Sequence, residues 1–467
     1  METAIEPSNI NLMLTKQKQK SHALKLEGPR DRKRKLKKLR NWILENRSLV
    51  QQAIHKDFKK SPVEVDISEI YPVLTEIRVA IGSLSEWMKP KSFSPNLTYL
   101  GTTARIHYEP KGSCLIISPW NYPFNLTVGP MVSAIAAGNT MMIKPSEFTP
   151  HTSDLIEKMT RELFSEDEAI VYQGDYRVSS DLLELPFDHI FFTGSPRVGK
   201  IVMEAAARHL TSVTLELGGK SPTIVDESAN IKDAAEKIAW GKWLNAGQTC
   251  VAPDYLFVQR DIKDEFLSAL KKAIDKIYPD TKEYTGIVNE AHYKRMNGWI
   301  SDAIEKGAKL EYGGTNDADQ RKINPIVLTE VPEHTSIMEE EIFGPILPIM
   351  AYKELDEVIR FINERPKPLA LYHFSRKKHY LERVTKETSA GTMCINDCVL
   401  QFSHPELPFG GVNNSGIGKA HGHHGFLAFS NEKSVLKQRT GLTMAKTLYP
   451  PFDSVKKRML DLMIKYF

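Results

Sequence analysis

At 467 residues the chain exceeds what one hydrophobic core usually supports, so two or more domains are expected. With 41% hydrophobic and 26% charged residues it has the composition of an ordinary soluble globular protein, and a net charge of +4 is too small to imply a polyanionic partner. Four cysteines make a poor disulfide framework at this size, and neither a secretory leader nor a run of about 18 apolar residues occurs, so a reducing, cytoplasmic setting is expected.

From Arg30 to Arg40 eight residues are basic. Leu36, Leu39, Ile43, Val50 and Ile54 recur at helical spacing through and beyond this run. The charges are therefore expected mainly on the outer face of an amphipathic helix, not in a nucleic-acid patch. A second amphipathic helix is expected over 64–87, with Tyr71 on it, and short strands over 97–100 and 103–108. Apolar strands over 114–117, 140–144, 169–172, 189–193 and 213–217 then alternate with helices over 130–137, 152–163 and 198–209. Continuous apolar strands joined by helical crossovers point to a parallel sheet covered on both faces. A second series begins near Lys220. Its strands are expected over 255–258, 325–328, 347–352, 369–374 and 392–396, and its helices over 262–277, 292–305, 355–364 and 377–387. This reads as a second α/β domain.

Parallel sheets of this kind bind ligands at the carboxyl ends of their strands. One such end, His189 through Gly194-Ser195 to Gly199-Lys200, is a strand, a turn and a helix start whose free N–H groups and dipole suit a pyrophosphate. At another, Lys144-Pro-Ser-Glu147 offers a cation and an anion; from the residues alone, a surface turn and a ribose site both stay open. The third signal is Asn245-Ala-Gly247-Gln-Thr-Cys250, which follows an apolar helical run over 234–244. Gly247 can bend the chain sharply there, leaving a thiol that is rigidly held yet reachable. A small buried hydrophobe is the alternative for any single cysteine, and Cys114, inside an apolar strand, reads that way. His421, His423 and His424 lie among glycines without an acid or cysteine motif, so a surface loop is expected there and no metal site.

Seven spaced motifs decide between the open readings. They are Pro119-Trp120-Asn121-Tyr-Pro-Phe-Asn-Leu, Lys144-Pro-Ser-Glu147, Phe192-Thr-Gly194-Ser195, Leu215-Glu216-Leu-Gly-Gly-Lys-Ser-Pro, Gly247-Gln-Thr-Cys250, Glu341-Ile-Phe343-Gly-Pro and Leu407-Pro-Phe-Gly-Gly. Together they resemble the aldehyde dehydrogenase superfamily over roughly residues 65–430, most closely its class 3 branch, as does Tyr449-Pro-Pro. The resemblance implies two doubly wound parallel-sheet domains with a small β bridging element. It places the N-terminal helices and the cofactor-binding domain at 1–92 and 110–217, and the catalytic domain at 218–408. Bridging segments would be 93–109 and 409–440, and a tail 441–467.

The resemblance implies NAD(P)-dependent oxidation of medium- or long-chain aliphatic or aromatic aldehydes, with NAD and also NADP as cofactors. Cys250 would be the nucleophile, Asn121 an oxyanion donor and Glu216 the base for deacylation. Gly194, Ser195 and Gly199 would meet the pyrophosphate, Lys144 and Glu147 the adenosine ribose, and Glu341, Phe343 and Trp120 the nicotinamide end. Tyr71 would line the substrate pocket. A coenzyme A-dependent acylating enzyme would not need Glu216, and a retired structural protein would not need the intact set. Departures from the family pattern are Pro196-Arg197, which leaves cofactor preference open, and Asn413 where relatives generally have glycine. The bridging strands and the short N-terminal lead imply a homodimer. The basic amphipathic tail over 455–467 is expected to dock on the protein and wall the substrate entrance, with contact to an anionic membrane surface as the other reading.

Overall fold

The computed structural model describes residues 7–95, 99, 101–280, 284–313, 316–441, 443, 445–446 and 449–466. Two parallel-type sheets form the body. The first runs, edge to edge, through Gly416–Ile417, Ser212–Leu217, His189–Gly194, Ser113–Ile117, Thr140–Lys144 and Ala169–Val171. Every pair in it is parallel except Gly416–Ile417 with Ser212–Leu217. All residues of Ser113–Ile117 and Thr140–Lys144 are buried, which is why these strands read as continuous apolar runs. Successive residues still serve opposite faces. Cys114 and Ile116 pack under the N-terminal helices and the helix Asn125–Ala137, whereas Leu115 and Ile117 pack with Leu182, Val202 and Ala205 on the other side.

The second sheet runs through Lys309–Tyr312, Ile326–Thr329, Ile346–Tyr352, Tyr255–Gln259, Pro222–Val225, Ala370–Phe374 and Thr392–Ile395, parallel apart from Lys309–Tyr312 at its edge. A third, small antiparallel sheet joins Lys91–Phe93, Thr102–Pro110 and Ser430–Gln438. Among the described residues its last strand pairs on one side only, and all its residues after Ser430 are exposed. Of the strand expected over 97–100, only Tyr99 is among the described residues.

The structure corrects several expectations. The single helix expected through the basic run is two, Pro29–Glu45 and Arg47–Phe58, broken at Asn46. Leu36, Leu39, Ile43, Val50 and Ile54 are all buried as their spacing requires, but so is Arg32. Its Nη1 donates to the carbonyls of Ala136 at 3.0 Å and Ala137 at 2.7 Å, a cation closing the negative end of the helix Asn125–Ala137. The region after His421 is no loop: Gly422–Ala428 is a helix, and His421 is turned inward. The tail does form a helix, Ser454–Tyr466, but none of its described residues is buried, so it does not dock on this chain. Val455 is 74% exposed and Ile464 80%. Asn413 takes φ 54°, a left-handed conformation that asparagine tolerates and that glycine would also adopt freely.

Candidate active site

Asn245, Ala246 and Gly247 adopt φ of 54°, 52° and 71°, three consecutive left-handed residues between the helix Ile231–Trp243 and Cys250. A left-handed conformation costs a non-glycine residue about 1–2 kcal/mol, so the first two must be held by their surroundings. Position 247 accepts only glycine, because a Cβ there would lie 2.2 Å from the Gly344 carbonyl oxygen. Glu64 accepts the Asn245 N–H at 2.7 Å. The Asn245 side-chain amide donates to the carbonyls of Asn121 at 2.9 Å and Gln248 at 3.0 Å, and Asn121 Nδ2 donates to the same Gln248 carbonyl at 3.1 Å. Gln248 in turn bonds Gly286 and Val288, each at 3.0 Å, and the Tyr122 hydroxyl meets Thr249 Oγ1 at 2.6 Å. The cysteine turn and the Asn121 loop are thus stapled into one unit.

Behind this unit lies a buried ion pair that sequence reading missed. The fully buried Lys60 ammonium is 3.0 Å from Glu69 Oε1 and 4.4 Å from the centre of the Tyr122 ring. Glu69 Oε2 accepts the N–H groups of Phe124 at 3.1 Å and Asn125 at 2.9 Å, fixing the chain just after Asn121. Breaking such a buried pair typically costs about 3–5 kcal/mol.

Cys250 opens onto a cavity of about 1130 Å³. Larger than most single-ligand pockets, it leaves room for more than one small molecule. Asn121, Trp120, Glu216, Glu341 and Phe343 line it, with Gly194 and Ser195 and with Tyr71 at its rim. Lys144, Glu147 and Gly199 are not on this lining. Lys144 and Glu147 bond each other at 2.8 Å at the end of the strand Thr140–Lys144. Gly199 lies where the helix Pro196–Ala207 crosses Leu217, and a Cβ there would come within 2.7 Å of that side chain. Arg197 is exposed on the cavity lining.

Burial, and then the charges of Glu341 and Glu216, push the Cys250 thiol up to about 12. Burial likewise raises Glu216 to about 7, against the lowering charges of His421 and Lys419. Neither oxygen of Glu216 has a hydrogen-bond partner among the described residues. Such a carboxylate, half ionised near neutrality and with free lone pairs, is suited to take a proton from water. Glu341 is raised to about 8 by burial and by Asp254, while the Gly219 N–H lowers it. It packs so close over Gly218 that a Cβ there would stand 2.2 Å from its carboxylate. Phe343, at φ 48°, sets its ring edge-on to Trp120 at 5.2 Å. Among the four thiols Cys250 alone lines the cavity; Cys114 is wholly buried, and Cys394 and Cys398 lie elsewhere.

The model of the aldehyde dehydrogenase family matches residues 3–435. The chain belongs to that family. It is 45% identical to the 4,4'-diaponeurosporen-aldehyde dehydrogenase of Staphylococcus aureus over 425 residues, covering 90% of this chain and 92% of that one. It is 42% identical to aldehyde dehydrogenase family 3 member B2 of Mus musculus, covering 91% of this chain and 89% of that one. Among solved structures, the substrate-bound state of Staphylococcus aureus AldH superposes with a TM-score of 0.94 at 41% identity, covering 99% of this chain and all of that one. A nicotinamide dinucleotide fits the residues present here. The turn at Gly194-Ser195 opens a helix in which Pro196 has no N–H and the Val198 and Gly199 N–H groups are taken by Ser195, so the helix dipole and the Arg197 N–H face a phosphate, and a carboxylate–lysine pair sits two strands away in the same sheet.

Proposed function

We propose that this aldehyde dehydrogenase oxidises aldehydes to carboxylic acids with NAD, and more weakly with NADP, through a thioester on Cys250. The observation that carries the reading is the convergence of the Cys250 thiol, the Asn121 amide and the Glu216 carboxylate on one cavity that also reaches the Gly194-Ser195 turn. Its proton released to water in the cavity, Cys250 adds as thiolate to the aldehyde carbon, and the charge growing on the oxygen meets the Asn121 amide and the Cys250 N–H. Each such donor is worth about 3–4 kcal/mol. The bound dinucleotide supplies the acceptor for the hydride that leaves this carbon. Glu216 then deprotonates water, hydroxide cleaves the thioester, and the acid departs with the thiolate restored.

Gly194, Ser195 and Gly199 serve the pyrophosphate side, Lys144 and Glu147 the adenosine ribose, and Glu341 with Phe343 and Trp120 the nicotinamide end. The Glu147 carboxylate disfavours a 2′-phosphate, which ranks NAD first, and Arg197 favours one, which leaves room for NADP. Tyr71, Leu126, Phe402 and Phe409 line the remainder of the cavity and suit bulky aliphatic or aromatic aldehydes. In this reading the cofactor-binding part is 1–92 with 110–217, the catalytic part 218–408, and the bridging part 93–109 with 409–440. An aldehyde panel assayed by NAD(P)H absorbance with both cofactors tests it. Turnover of medium or long chains and of aromatic aldehydes is expected; a folded protein that reduces neither cofactor with any aldehyde would overturn it.

The open edge of Ser430–Gln438, with Val435 and Leu436 exposed, suits a second copy of the chain, so a homodimer is proposed. The exposed helix Ser454–Tyr466 sets Lys456, Lys457, Arg458 and Lys465 beside Val455, Leu462 and Ile464, and suits a weak contact with an anionic lipid surface. Four free cysteines fit a reducing compartment such as the cytoplasm. One sample set tests assembly and tail together. Light scattering should report a dimer, and truncation after Pro451 should abolish sedimentation with phosphatidylserine vesicles while leaving the dimer. A monomer at micromolar concentration, or sedimentation that survives truncation, would sink the corresponding claim.

A further inference from the structure

His421 takes φ 71° and ψ 140° at the start of the helix Gly422–Ala428. This region of backbone space is close to one that only glycine enters freely, and holding another residue there costs about 1–3 kcal/mol. What the turn delivers is an imidazole in the cavity wall. Its Nδ1 is 3.2 Å from Glu76 Oε1, and the Gly422 N–H donates to the other Glu76 oxygen at 2.9 Å. Both oxygens of Glu76, on the helix Tyr71–Trp87, are therefore engaged. The rings of Phe402 at 4.7 Å and Phe409 at 5.2 Å enclose the imidazole from the other sides. Glu76, His421 and Glu216 all line the same cavity, and the backbone brings the last two together: Ala420, beside His421, pairs with Phe409 at 2.7 Å, and at the next residue, Gly410, a Cβ would stand 3.2 Å from Glu216 Oε1.

The charges that act on each member can be named. Those felt by Glu216 are His421 and Lys419, and its own charge is felt by Cys250. The Lys419 ammonium is turned to backbone carbonyls, Gly410 closest and Gly411 at 3.3 Å. Those felt by His421 are Glu76 and Glu216. Burial alone would lower the imidazole, but the hydrogen bond and charge of Glu76, with Glu216 beyond, raise it above its ordinary value. Burial alone would raise Glu76, but the hydrogen bond and charge of His421 and the Gly422 N–H hold it below the usual carboxylate value. Glu76, 3.2 Å away, thus favours the protonated imidazole against the burial that opposes it.

We propose that the Glu76–His421 pair is a positioning element of the deacylation step: Glu76 keeps the imidazole oriented and charged, and that charge favours the ionised form of Glu216 that activates water. The proposal rests on Glu216 being the base. Nothing is transferred to or from His421 in this role; its charge shifts the proton equilibrium of Glu216, neither of whose oxygens has a hydrogen-bond partner among the described residues.

The experiment isolates deacylation. The enzyme is acylated at Cys250 with 4-nitrophenyl acetate without nucleotide, and thioester decay is followed by intact mass from pH 5.5 to 9.5. His421→Asn removes the charge with a residue that tolerates positive φ. Glu76→Gln removes it from the other side while keeping an acceptor for the Gly422 N–H. In both variants the acid limb should move up by about one unit, so that decay slows about tenfold at pH 6 and matches wild type at pH 9. A loss uniform across pH, with the limb unmoved, would reduce His421 to a helix cap and overturn the proposal. If the His421 variant does not fold, Glu76→Gln decides alone. Glu216→Gln run in parallel separates the two claims: a wild-type acid limb in that variant means that Glu216 is not the base, whatever the His421 variant does.

Discussion

Replacing Cys250 by alanine should lower NAD(P)H formation by about four orders of magnitude or more, the scale on which removal of a covalent nucleophile acts. The cavity supplies no second nucleophile of the same kind, since Cys114 lies wholly buried within the strand Ser113–Ile117 and Cys394 and Cys398 do not line it. Cys114→Ala should therefore keep near wild-type turnover while losing about 1 kcal/mol of stability to the small void it leaves. Dinucleotide binding in Cys250→Ala, followed by fluorescence quenching, should be retained, because the Gly194-Ser195 turn is built from a different sheet. A Cys250→Ala protein that reduces NAD at near wild-type rate would remove the covalent mechanism altogether.

The sheets are legible in the sequence because their determinants are local. A strand such as Thr140–Lys144, buried on both faces, must be apolar throughout, and the helices between strands carry their own periodicity. The bend before Cys250 is legible for the same reason, since Gly247 announces it. Its extent is not. Asn245 and Ala246 join the left-handed turn held by partners distant in sequence: Glu64, 181 residues earlier, accepts the Asn245 N–H, and the Asn121 carbonyl, 124 residues earlier, accepts its side-chain amide. The inward His421 depends on Glu76, whose other oxygen bonds Gly422 across 346 residues. Arg32 looks like one more charge of a basic run, yet it closes a helix more than 100 residues away. In each case a polar residue is buried by a partner distant in sequence, and periodicity carries no information about such a pair. One local trace did exist: Ala-His421-Gly-His-His-Gly packs glycines around a histidine, and a glycine-rich turn that places an imidazole is as good a reading as a surface loop. The tail teaches the converse. Its amphipathic pattern forecasts a helix, which forms, but amphipathicity alone does not say what the apolar face meets.

The second large effect separates the two halves of the reaction. Glu216→Gln should transfer hydride once and then stall, giving an NADH burst near one per active site and an acylated Cys250 by intact mass, with steady turnover down by about 10²–10⁴. The reason lies in how the side chain is held. Glu216 sits on the strand Ser212–Leu217 opposite Gly416, almost wholly buried, and neither of its oxygens receives a hydrogen bond among the described residues. An amide of the same shape loses no donor there and no longer has a charge to desolvate, so thermal stability should hold or rise. Stalled turnover in a protein of undiminished stability would then report chemistry and not misfolding. The wild-type deacylation rate should also climb with pH through about 7, because burial raises the Glu216 carboxyl to that value and only its ionised form accepts a proton from water. In Glu216→Gln that limb should vanish. Steady turnover equal to wild type, with no burst and no acyl adduct, would take Glu216 out of the deacylation step and leave Glu341, the other raised carboxyl on the cavity, as the group to test next.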